Sequence, residues 1–136
     1  MIKKLAIVVG LFVAMCPGLP AQQIVAMHAN IPFDFRMGDT LVPSGTYLLE
    51  VKESAVILRE EGGRLLAVAF MTIPESRLAP LADGELSFNR YGNDYFLASI
   101  WTPDSRNGCS LPQTRREKEV ARLAGGLVQT ATIRTK

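Results

Sequence analysis

The chain has 136 residues, with fifteen basic and thirteen acidic side chains, one His and two Cys. That length suits one domain, and the near-neutral balance excludes the strongly basic surface that a nucleic-acid partner requires. One His and two Cys exclude a disulfide framework and any tetrahedral zinc site built without carboxylates.

In chain order, residues 1–21 read as a secretory signal peptide. Lys3 and Lys4 form the basic start, residues 5–16 the apolar core, and Pro17-Gly18 the break before Ala21. The core falls short of the roughly 20 residues that a spanning helix needs, so the mature chain is expected to have no membrane span. Met15 is too large a neighbour for Cys16 to be processed as a lipoprotein cysteine. Residues 22–136 are then a single β-rich domain, exported to the periplasm or the exterior. Lys3 and Lys4 leave with the signal, so this domain is formally neutral. Cys109 is its only Cys, which rules out an intramolecular disulfide.

From Met27 the residues Met27, Ala29, Ile31, Phe33 and Phe35 fall on one side and His28, Asn30, Pro32, Asp34 and Arg36 on the other. A period of two predicts a half-buried strand. Residues 37–40 are turn-like, and Val42-Pro43-Ser44-Gly45 suits a type I turn. Tyr47, Leu49 and Val51 lead a second strand. A third spans 55–59, followed by a Glu60-Glu61-Gly62-Gly63 hairpin loop. The run 64–72 is apolar on both faces and predicts a strand covered on both sides.

Residues 73–84 hold Pro74, Pro80 and Asp83-Gly84 and read as a long irregular loop, of the kind that is often functional. Runs 86–91 and 95–101 flank Gly92-Asn93-Asp94 as a hairpin. The alternation sets Tyr95, Leu97 and Trp101 on one face and Phe96, Ala98 and Ile100 on the other. Residues 102–108 read as a polar loop. Thr114 then caps a helix, with Glu117 as capping-box partner and Val120, Leu123 and Ala124 as the apolar face. Arg116 falls on that side, so its stem should pack and its head should find an acid. Gly125-Gly126 stops the helix, and residues 127–135 complete a last strand.

Several patches combine: Ile31-Pro32-Phe33-Asp34-Phe35, Pro43-Ser44-Gly45-Thr46-Tyr47, Glu75-Ser76-Arg77, Arg90-Tyr91-Gly92 with Tyr95-Phe96-Leu97 and Trp101, and the Arg/Glu-rich helix. Together they resemble a family of short exported proteins of environmental bacteria. The likeness spans the mature chain, although the family often has Ala where Ser44 stands. The resemblance implies no activity, cofactor or substrate.

The chemistry is sparse. There is no GxxxxGK phosphate loop, no GxGxxG after a strand and no GxSxG elbow. His28 lies near the mature N-terminus, on the polar side of its strand, where a base is poorly positioned. Cys109 reads as an inert small side chain rather than a redox handle. Arg90 should point inward two residues after Phe88, and a buried Arg needs a carboxylate. Glu75 is the expected partner, with Arg77 beside it. Tyr91, Tyr95 and Trp101 offer the aromatic surface that a sugar or peptide platform needs, although such residues more often serve as core. Glu75, Arg77, Arg90, Tyr91, Tyr95 and Trp101 are therefore the binding candidates, with no catalytic or metal-binding residues and no cofactor.

The expected fold is all-β: a small sandwich or partly open barrel of about seven mostly antiparallel strands, with one short helix near the C-terminus. The expected role is non-enzymatic, in binding or assembly at the cell envelope. An envelope protein or glycan is the expected partner, engaged through the long loop and an unpaired sheet edge. The alternatives are a carrier with an internal pocket for a small apolar ligand and a carboxylate-dependent hydrolase.

Overall fold

The computed structural model describes residues 24–70 and 72–135; the expected signal peptide lies outside them. The described residues form β1 (Val25–Ile31), β2 (Phe35–Met37), β3 (Thr40–Val42), β4 (Gly45–Val51), β5 (Ala55–Glu60), β6 (Leu65–Phe70), β7 (Ile73–Leu81), β8 (Glu85–Tyr91), β9 (Asp94–Trp101), β10 (Ser105–Ser110), α1 (Arg115–Leu123) and β11 (Gln129–Arg134). The all-β expectation holds, but with more strands than seven. Three of the added strands come from short or bulged segments that read as turns or loops in the sequence: β3, β7 and β10.

Two sheets pack as a sandwich. The first runs β1-β4-β5-β6. The second runs β11-β8-β9-β10-β7, with β2 joined to β9 in parallel at Arg36 opposite Phe96, and β3 on β2. All other pairings are antiparallel. Among the described residues both sheets have free edges, so this is a sandwich and not a closed barrel.

The alternation read from residue 27 onward is what fills the core. Met27, Ala29, Ile31 and Phe35 are buried, and His28 and Asn30 are exposed. Met27, Leu49, Leu58 and Ala67 stand opposite one another across β1, β4, β5 and β6. Leu86, Ile100 and Cys109 form a facing row on the second sheet. Phe33 and Phe35 meet Phe88 edge-on, at centroid distances of 4.9 and 5.4 Å. The phenol of Tyr47 donates to the carbonyl of Pro43, and Ser44 N donates to Asp34 Oδ1 at 2.8 Å, which ties the two turn segments together.

Four expectations are corrected. First, the proline-containing stretch from residue 73 is not a loop. It is edge strand β7, paired with β10, with its register interrupted between Ser76 and Leu81. Prolines are tolerated there because an edge strand needs only one side of its backbone paired. Second, β6 is not covered on both sides. It ends its sheet, and Leu65 and Phe70 are 52% and 69% exposed.

Third, β9 carries a bulge. Ser87 pairs with Ser99 and Phe88 with Leu97, leaving Ala98 as the extra residue. The extra residue reverses the alternation. Ile100 therefore joins Leu97 in the core, and Trp101 turns outward with Phe96.

Fourth, the apolar face expected of α1 forms only in part, with Val120 and Ala124 half-buried and Leu123 outside it. Thr114 is the N-cap, and its Oγ1 accepts from Glu117 N at 3.2 Å. The Glu117 side chain, however, is buried, and Leu123 and Arg116 are exposed. The helix connects β10 to β11 and so must cross β9 and β8. Nine residues span about 13.5 Å, close to the roughly 14 Å of three strand spacings. It therefore crosses the outer face of the second sheet, where Glu117 lies against Asn89 and Tyr91.

Candidate functional site

The registers place Glu85, Trp101, Gly108 and Glu75 directly opposite one another on β8, β9, β10 and β7. All four stand on the outer face of the second sheet, because the Ala98 bulge has turned Trp101 that way. Gly108 makes room for the indole. A Cβ there would lie 2.5 Å from Trp101 Cε3 and 2.6 Å from the Ile100 carbonyl oxygen. Arg77 reaches back from β7, with its guanidinium carbon 4.0 Å from the indole centroid. Its Nη2 donates to Glu85 Oε1 at 3.0 Å. One side chain thus spans from the sheet edge to β8, stacked on an aromatic ring and ended by a carboxylate. Such a clamp holds the irregular part of β7 against the sheet.

The remaining candidates are dispersed. Arg90 does lie on the face of Phe88, as expected, but Glu75 is not its partner. β9 and β10 separate their strands. Arg90 Nε donates to the Gly92 carbonyl at 2.7 Å, and its guanidinium carbon sits 5.3 Å from the Tyr95 centroid. Tyr95 stacks on Phe33 at 3.9 Å and belongs to the inner face. Tyr91 is buried on the outer face, edge-on to Phe96 at 5.9 Å. Trp101 lies about 20 Å from Tyr91 along the strands, six residues away at about 3.4 Å each. The three aromatics form no common platform. The structure brings together Arg77 and Trp101 with Glu75 nearby, and sets Arg90 and Tyr95 apart from them.

A second cluster was not anticipated. Burial beneath α1 pushes the Glu117 carboxyl above the ordinary carboxylate range, and the amides of Gln113 and Asn89 offset part of that rise. Among the described residues, Glu117 Oε2 has no hydrogen-bond partner. Burial also raises the Tyr91 phenol, and the negative charge of Glu117 adds to the effect. The cluster is sealed by the helix, so its consequence is for helix docking and not for a substrate. Capping chemistry marked Glu117 in the sequence, but the inward turn of its side chain depends on a register that propensity does not reveal.

Cys109 is buried in the core, and burial, with Glu75 second, raises its thiol above the ordinary range. His28 is exposed on β1. Among the described residues, no three His, Cys, Asp or Glu side chains gather to hold a metal, and no helix is long and apolar enough to cross a membrane. A cleft of about 580 Å³ opens at one end of the sandwich, lined by Ile24, Val51, Lys52, Thr102 and Asn107 among others. It is an end opening rather than an internal chamber.

These observations define a small β-sandwich domain with a clamped outer face and free sheet edges. No protein-family model, no curated protein and no solved structure matches the chain.

Proposed function

We propose that the mature chain is an exported, non-enzymatic β-sandwich domain that acts by binding or assembly at the cell envelope. Its partner is an extended segment of an envelope protein that adds to a sheet edge. One observation carries this reading: β6 reads Leu-Leu-Ala-Val-Ala-Phe, ends its sheet, and holds neither charge nor proline. Edge strands of stable monomers are normally blunted by charge, proline or cover, because an open ladder invites another chain. β7, the other late edge, carries Pro74, Pro80, Glu75 and Arg77 and is blunted in this way. The contrast between the two edges supports β6 as the pairing strand. The signal-peptide pattern at residues 1–21 and the resemblance to short exported proteins support the location.

The test is capture from envelope extracts by the purified mature chain, compared with Val68→Lys. Val68 is half-buried between the core residues Ala67 and Ala69, so lysine there charges the edge without entering the core. Retention of a discrete partner by the wild type and its loss in the variant is the expected result. A wild type that stays monomeric and captures nothing overturns the reading.

A further inference from the structure

The helix α1 ends in a turn with unusual surface chemistry. Residues 123–128 read Leu-Ala-Gly-Gly-Leu-Val and contain no charged or hydrogen-bonding side chain. Leu123 is 83% exposed, Leu127 79% and Val128 52%. Scattered exposed leucines are normal, whereas three large aliphatics within six residues form a patch that calls for an occupant. The turn is built rather than loose. Gly125 and Gly126 take φ of 68° and 77°, Gly125 N donates to the Arg122 carbonyl at 3.1 Å, and Gly126 N donates to the Ala121 carbonyl at 2.9 Å. A held turn presents its side chains without first being ordered.

The helix leading into the turn is basic on its exposed surface. Arg115, Arg116, Lys118 and Arg122 are exposed, against Glu119 as the one exposed acid. The helix's other acid, Glu117, is the buried one. Apolar side chains at a tip, next to a cluster of cations, match an anionic bilayer: acyl chains accept the leucines and the headgroups meet the arginines. A protein groove would explain the leucines and leave four cations with no stated role. We infer that the α1–β11 turn is a membrane-interface anchor that inserts Leu123, Leu127 and Val128 into an anionic phospholipid surface, with the α1 cations on the headgroups. This surface is distinct from β6, and the inference does not depend on β6 pairing.

The test is co-sedimentation of the chain lacking residues 1–21, whose apolar core would bind lipid by itself. Vesicles of phosphatidylcholine with about 30% phosphatidylglycerol are compared with phosphatidylcholine alone. Binding is expected to the anionic vesicles only, and to weaken at least about tenfold between about 50 and 500 mM NaCl. The double variant Leu123→Asn, Leu127→Asn should lose at least about tenfold in binding. So should Lys118→Glu with Arg122→Glu, each variant keeping the wild-type melting temperature. Val68→Lys should bind vesicles like the wild type. Absence of wild-type binding overturns the anchor. Equal binding by the asparagine variant also overturns it, because the cations alone would then suffice. A wild type that ignores vesicles and self-associates, with the asparagine variant monomeric, assigns the patch to a second copy and overturns the anchor as well.

Discussion

Replacing Gly108 with Ala should unseat the only Trp of the chain. The new Cβ would sit 2.5 Å from Trp101 Cε3 and 2.6 Å from the Ile100 carbonyl oxygen. The indole must swing off β10, and the Ile100 carbonyl, held in the sheet ladder, forces a further local shift of the backbone. That ends the 4.0 Å stacking of Arg77 and exposes a ring that is now 8% exposed. Loss of the cation–π contact is worth about 0.5–2 kcal/mol. Re-exposing about half of a side chain that buries roughly 200 Å² removes about 2.5 kcal/mol more. The smaller conformational freedom of unfolded Ala returns about 0.4–1 kcal/mol. These terms set a floor of about 2–4 kcal/mol of destabilisation, to which the backbone shift adds, a large share of a domain's typical stability of about 5–15 kcal/mol. Urea unfolding followed by Trp emission reads both effects. The midpoint should fall, and the native emission maximum should shift to longer wavelength. An unchanged midpoint together with an unchanged native spectrum would refute the argument that Gly108 is there to seat the indole.

Glu117→Gln should remove a pH dependence. Docking raises the carboxyl's pKa above the ordinary value near 4.5, so the folded state holds the proton more tightly than the unfolded one. Stability is then fullest below the ordinary value and is lost as pH rises through the raised one; denaturation midpoints from pH 4 to 8 should fall in the wild type and stay flatter in the variant. Cys109 should react with a thiol reagent slowly in the native state and fully in denaturant, because it is buried and its thiolate is disfavoured. Leu78→Asp, at an almost fully exposed position on β7, should change stability by no more than about 0.5 kcal/mol in thermal melts. Phe88→Ala, which empties a fully buried site between Phe33 and Phe35, should lower it by about 3–5 kcal/mol.

Period-two patterning made β1, β4 and the β8–β9 hairpin legible, because a face buried against a second sheet writes itself into alternate residues. The same logic failed at Trp101. One bulge at Ala98 reverses every residue after it, and no propensity marks Ala98 as the extra residue. β7 was missed because Pro74 and Pro80 argue against a strand, an argument that holds for central strands but not for edges. The environment of α1 was misread for a related reason. Helical spacing says which residues share a face, not how much of that face the sheet covers, and here Val120 and Ala124 are half-buried while Leu123 is exposed. Within the candidate site, Arg77 and Trp101 were named from sequence. Glu85, which closes the clamp on Arg77, was not, since the bulged β8–β9 register is what sets it opposite Trp101.

Pairing through β6 at the envelope can be probed by placing a photo-crosslinking residue at Phe70 in cells that make the protein. Phe70 lies on that edge and is largely exposed. Illumination is expected to give a discrete adduct with an envelope protein, suppressed when Val68 is also lysine. Absence of any adduct, or adducts unaffected by the lysine, would contradict pairing through β6.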